Sequence, residues 1–147
     1  MKLLLSVVSG LIVLLTVSMA QAQPRPPEWT LSQNDPNPFC NENSYTRIRY
    51  ALAQQSHALL RIWSPDTSAV ARVLINGLQS AGFYEVVWDG RNGIGDLLQN
   101  GEYPYSLTAT EVGGELVLFE RMLVSSVRCA PVAVSPETWG KIKILFR

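Results

Sequence analysis

His57 is the chain's single histidine. It follows Gln55 and Ser56 at the head of an alternating stretch, with no second metal ligand or nucleophile at a useful spacing. That context describes a solvated imidazole at a strand end rather than a general base. Cys40 and Cys129 are far apart and lack zinc-ligand spacing. The chain has no Gly-x-Ser-x-Gly elbow and no phosphate loop ending in Gly-Lys-Ser/Thr. Its carboxylates are scattered over turns, with no pair spaced as acid and base. The closest approach to a ligand set is Trp88-Asp-Gly-Arg-Asn-Gly-Ile-Gly-Asp96, where Asp89, Asn92 and Asp96 offer oxygens. Calcium takes about six to eight oxygens, and the EF-hand puts acidic groups at its first, third and fifth positions, a pattern this loop does not follow. The same residues suit a tight reversal. Trp88 would bury a large surface, Gly90, Gly93 and Gly95 permit positive backbone dihedrals, and Asp89 and Asn92 can bond neighbouring amides. The expectation is a protein without catalytic residues, metal or cofactor, and with nothing that marks a small-molecule site.

The elements that would carry this loop are short strands divided by turn chemistry. Thr46, Ile48, Tyr50 and Leu52 alternate with Arg47, Arg49 and Ala51, the period-two pattern of a half-buried strand. Ala58, Leu60 and Ile62 alternate with Leu59, Arg61 and Trp63 in the next. Ser64-Pro65-Asp66-Thr67 is a turn. A third strand is expected over Val70 to Ile75, ending at Asn76-Gly77, and a fourth puts Tyr84, Val86 and Trp88 on one face. Leu98 pins a short crossing segment. A fifth strand follows from Tyr103 to Ala109, and a sixth over Leu116 to Val124, the two joined by a hairpin at Gly113-Gly114. Pro104 cannot donate a ladder bond, so its position should face an edge or a bulge. No helix is expected before the tail, and the fold class is all-β, an Ig-like or fibronectin III-like sandwich of about six or seven antiparallel strands.

Four segments carry a family resemblance: Leu31-Ser-Gln-Asn-Asp-Pro-Asn-Pro-Phe39, Thr46-Arg-Ile-Arg-Tyr-Ala-Leu52, Ala81-Gly-Phe-Tyr-Glu-Val-Val-Trp-Asp-Gly-Arg-Asn92 and Asn100-Gly-Glu-Tyr-Pro-Tyr-Ser-Leu107. Together they resemble the FlgD-like Ig-like module of the flagellar hook-capping family. They are also similar to the C-terminal domains of cargo secreted by the type IX (Por) system. The resemblance implies a module that binds, caps or sorts. In such a sandwich the first and last strands lie close together, which implies a Cys40–Cys129 disulfide. The Leu98-Gln99-Asn100-Gly101-Glu102-Tyr103 stretch resembles the tyrosine corner of sandwich folds, in which the hydroxyl bonds backward to the chain. An ordinary core role for Tyr103 remains the alternative.

Met1-Lys2 and the apolar run Leu3 to Val17, followed by small residues, read as a secretory signal peptide over 1–22, cleaved after Ala20 or Ala22. No membrane span is expected after cleavage. Residues 23–45 form an extended lead-in, 46–129 the sandwich and 130–147 a C-terminal tail. With 12 basic and 12 acidic residues the chain is formally neutral, which argues against a broad nucleic-acid surface and against membrane attraction.

In the tail, Ser135-Pro136-Glu137 resembles a capped helix start. Trp139, Ile142 and Phe146 follow at helical spacing, with Lys141, Lys143 and Arg147 among them. A strand is also open, since Ile142, Ile144 and Phe146 alternate with Lys141, Lys143 and Leu145. The tail either packs on the sandwich or is displayed to a partner. The expected role is an exported binding or scaffolding module at the cell envelope or surface, its partner another envelope or secretion-system protein. The alternative is a type IX-like sorting domain. Against that, only a leader and a short lead-in precede this module, whereas sorting domains follow large cargo. The leader also argues against a hook cap, which its own export apparatus assembles.

Overall fold

The computed structural model describes residues 24–130. The expected 1–22 leader and nearly all of the 130–147 tail, including Trp139, Lys141, Ile142, Lys143, Phe146 and Arg147, lie outside the described residues. Seven strands form two antiparallel sheets. β1 (Thr30–Leu31), β2 (Thr46–Leu52) and β5 (Gly82–Trp88) make a three-stranded sheet in the order β1-β2-β5. β3 (Ser56–Trp63), β4 (Val70–Gln79), β6 (Gly101–Thr110) and β7 (Val117–Val127) make a four-stranded sheet in the order β4-β3-β6-β7. Among the described residues there is no helix. The fold is an all-β, Ig-like sandwich.

The alternation read from the sequence is the alternation that packs. Ile48, Tyr50 and Leu52 point inward from β2, against Ala58, Leu60 and Ile62 of β3 and Tyr105, Leu107 and Ala109 of β6. Trp88, fully buried at the end of β5, meets the ring edges of Phe39 and Tyr103 at centroid distances of 5.4 and 6.0 Å. Such edge contacts add to the large area an indole buries.

Three strand expectations need correction. β4 does not stop at Asn76-Gly77 but runs on to Gln79, with Gly77 paired to Ala58 and Leu78 to His57. The ladder to β3 holds Asn-Gly extended, and the reversal falls at Ser80-Ala81 instead. β7 likewise continues past Val124 to Val127, because Tyr103, Glu102 and Gly101 supply three more partners. Pro104 is not in an edge strand, since β6 lies between β3 and β7. The β3–β6 ladder, however, ends at Ile62–Tyr105. Pro104 sits one residue beyond it, where no β3 partner requires an N–H.

The lead-in is part of the sandwich. Thr30 and Leu31 pair with Ala51 and Tyr50, and the chain then crosses to run parallel to the end of β7 through the Phe39–Val127 bridge. Phe39 N–H donates to the Ser126 carbonyl and Arg128 N–H to the Phe39 carbonyl, at 3.1 and 2.8 Å. Gln33 and Asn37 side chains reach the Val124 carbonyl. This segment closes the outer edge of β7 from Val124 to Arg128.

Asn34 holds that crossing in place. It is 3% exposed, and its Nδ2 lies 2.8 Å from both Thr46 Oγ1 and Ser125 Oγ. Thr46 Oγ1 in turn donates to the Pro36 carbonyl. The Asn34 N–H donates to Tyr105 Oη, which donates to the Ser32 carbonyl. Burial pushes the Tyr105 hydroxyl up to about 12, so it stays neutral and able to donate. Asn34 therefore joins the lead-in to β2 and β7 through its side-chain amide and to β6 through its backbone N–H.

The Cys40–Cys129 disulfide closes the same end, with Cα atoms 4.5 Å apart and a sequence separation of 89. Two outcomes are expected in urea unfolding. Replacing both cysteines by serine should cost about 4–5 kcal/mol, the chain-entropy value for a loop of this length. Asn34→Ala, which leaves buried hydroxyls without their donor, should cost about 2–4 kcal/mol with the disulfide intact.

Candidate functional site

Cys40, Cys129, Trp88, Asp89, Gly90, Asn92, Gly101 and Tyr103 gather at the end of the sandwich where β5 and β7 finish and β6 begins. The β5–β6 connection folds on itself. Trp88 Nε1 donates to the Arg91 carbonyl at 3.1 Å, and Asp89 Oδ1 accepts from the Arg91 N–H at 3.2 Å. Asn92 Oδ1 accepts from the Ile94 and Asp96 amides at 3.1 and 2.9 Å. Gly90 and Gly95 have φ values of 69° and 95°. Gly93 is not in the left-handed region, and instead its N–H donates to the Ala71 carbonyl of β4 at 2.9 Å.

Asp89, Asn92 and Asp96 do not converge on an ion. Asp89 Oδ1 lies 2.8 Å from Arg72 Nη1, and Arg91 Nε stands 3.9 Å from the other carboxylate oxygen. The Asn92 oxygen is taken by two amides. Cys40, Glu42 and Cys129 lie close together, but both sulfurs are spent in the disulfide, leaving no thiolate to bind a metal.

Asn41, which the sequence reading passed over, ties the disulfide to the loop. Its Nδ2 donates to the Gly90 and Leu98 carbonyls at 2.9 and 2.7 Å. A Cβ on Gly90 would fall 2.3 Å from Asn41 Cβ. Gly90 is thus required both for its φ and for the close approach of Asn41. Tyr103, at the start of β6, donates its hydroxyl to the Gln99 carbonyl at 2.9 Å, which is the backward bond of a tyrosine corner. Burial raises its pKa. Gly101 pairs with Val127, and the ring of Tyr103 lies over its position. A shallow polar cleft runs between Asn41–Glu42 and Leu97–Asn100.

Residues 41–113 match the family model described as the FlgD Ig-like domain. These residues are a FlgD Ig-like domain. The match begins at Asn41, covers β2 to β6, and ends in the turn before β7. No curated protein matches the chain. The lead-in and β7 lie outside the matched span, although both complete the domain's core.

The two outer faces of the FlgD Ig-like domain differ in chemistry. On the three-stranded sheet Glu85 bridges Arg47 and Arg49, at 3.2 and 2.8 Å. On the four-stranded sheet, Val124, Trp63 and Val70 form a row across the strand ends, and Met122, Ser106, Arg61 and Val73 form the next. Trp63 Nε1 donates to Ser106 Oγ at 2.8 Å, fixing the indole under the Arg61 guanidinium, 4.7 Å from the ring centroid. Among the described residues no carboxylate pairs with Arg61, and its Nε is buried without a hydrogen-bond partner. His57 lies at the far end of this face, opposite Thr110. Sequence reasoning missed the face because its inward and outward residues are both apolar. The alternation of Leu60 and Ile62 with Leu59 and Trp63 does not say which set meets water.

Gly90→Ala and Gly95→Ala separate the two demands on the loop. Gly95→Ala, with open space at its Cβ, should lower stability by about 1 kcal/mol through backbone strain alone. Gly90→Ala should cost clearly more in the same thermal melts, because Asn41 must also move.

Proposed function

We propose that this chain is an exported, non-enzymatic binding or scaffolding module of the cell envelope. Its contact surface is the outer face of the four-stranded sheet, and its partner is another envelope or secretion-system protein. The carrying observation is the stacked Arg61–Trp63 pair, set among Val70, Val73, Met122 and Val124 and unmatched by any carboxylate of the described residues. Interface hot spots favour Trp and Arg at the centre of an apolar patch, and a solvated sheet face ordinarily alternates to polar residues.

Export is supported by the leader-like 1–22 segment and by the disulfide, which persists in oxidising compartments. The absence of a catalytic role is supported by the way the ionisable groups of the loop are used. Asp89 is paired to arginines, and the hydroxyls of Tyr103 and Tyr105 donate to backbone carbonyls.

The test is the intact mass of the native protein recovered separately from cytoplasm, periplasm, outer membrane and medium. The expected species begins at residue 21 or 23, lies outside the cytoplasm, and is lighter than its reduced form by the hydrogens lost in one disulfide. A reduced cytoplasmic chain, or one that keeps residues 1–22, overturns the reading.

A further inference from the structure

We propose that Arg61 receives a single carboxylate from the partner protein, an aspartate or glutamate side chain flanked by apolar residues on an extended segment. This rests on the reading of the four-stranded face as the contact surface and names the group that face receives. Three observations carry it.

The first is unmet hydrogen bonding at the middle of the face. The Arg61 guanidinium makes no ion pair with the described residues, and its Nε is buried without a hydrogen-bond partner. Thr108 Oγ1 is in the same condition. Arg61 pairs with Ser106 and Leu59 with Thr108, so Arg61 and Thr108 are diagonal neighbours on one face of the β3–β6 ladder. Such positions are about 7–8 Å apart, within reach of a long side chain. Buried polar atoms without partners are few in folded proteins, and two together on an outward face mark a place completed from outside.

The second is preorganisation. Trp63 Nε1 donates to Ser106 Oγ at 2.8 Å, and Ser106 is 1% exposed. The indole so fixed holds the Arg61 guanidinium 4.7 Å from its ring centroid. A planar guanidinium held on an aromatic face keeps its fork of N–H donors for a carboxylate, with little side-chain freedom left to lose. Side-on pairing through Nε and one Nη gives the buried donor its acceptor. It asks only that the half-buried side chain turn on the indole.

The third is the balance of charge and apolar surface. Val73 and Met122 lie in the Arg61 row and Val70 and Val124 in the next, each between 41% and 49% exposed. Side chains on one side of an extended segment recur about every 6.6 Å. An acid with an apolar residue two positions away on either side therefore presents its carboxylate and its apolar cover together. Among the described residues Arg61 is the one arginine or lysine at an outward position of these four strands, whereas Glu120 stands outward on β7, opposite Thr108. One cation with a carboxylate on the same face suits a single negative charge and disfavours a phosphate or a polyanion.

The test titrates the isotope-labelled, disulfide-closed chain of residues 23–147 with two synthetic probes, acetyl-Val-Ser-Glu-Ser-Val-amide and its glutamine counterpart. NMR follows the Arg61 Nε–H, the Trp63 Nε1–H and the Met122 methyl group. The glutamate probe should shift all three signals and bind about tenfold more tightly than the glutamine probe. Arg61→Gln should remove that preference and leave the Met122 shift.

Equal affinities on the native chain, with Met122 shifted by both probes, would overturn the carboxylate assignment and leave the contact face standing. No shift at Met122 with either probe would overturn both. Inorganic phosphate that shifts Arg61 as strongly as the glutamate probe would also reject the assignment, because the site would then take any anion. The two probes are compared on the native chain, so the outcome does not depend on how well the variant folds.

Discussion

A buried amide cannot be left without partners, and the requirement that Asn34 be satisfied organises this sandwich. Its side chain and backbone reach groups on β2, β6 and β7, drawn from both sheets. An unpaired amide there would lose more than a typical hydrogen bond contributes. The lead-in therefore has one path on which all these groups are matched. That path lays β1 on β2, then carries Asn37 and Phe39 along the end of β7, where the edge of the larger sheet would otherwise be open.

The second tie lies a few residues on. Cys40 is bonded to Cys129, and Asn41 holds the Gly90 and Leu98 carbonyls. Apolar packing joins the two, since Phe39 sits edge-on to Trp88 and Trp88 to Tyr103. Lead-in, β5–β6 loop and the end of β7 thus form one rigid corner. The FlgD Ig-like match starts at Asn41, yet the domain's closure depends on residues just before it and on β7 after it. In the Trp88–Asp96 loop, Asp89 and Asn92 accept from amides of the same loop.

The two outer faces then carry different chemistry. Arg47 and Arg49 share the Glu85 carboxylate on the smaller sheet, while Arg61 on the larger sheet is stacked on Trp63 and lacks an acidic partner among the described residues.

Much of this was legible from residue order. Alternation set β2 and β3, and the Gly113-Gly114 turn is where the β6–β7 reversal occurs. Trp88, Asp89 and Asn92 make local bonds within a tight turn, the kind that neighbouring residues can reveal. Other features are properties of pairing across long separations. Asn76-Gly77 looks like a turn until β3 holds it extended. Asn34 and Asn41 look like loop residues until Ser125 and Leu98 come within 2.8 Å. Local periodicity tells a chain to form strands and to bury one side of each. Which polar group is buried, which edge is closed and which apolar face is left toward solvent depend on partners about 50 to 90 residues away, and only the packed sandwich brings those together.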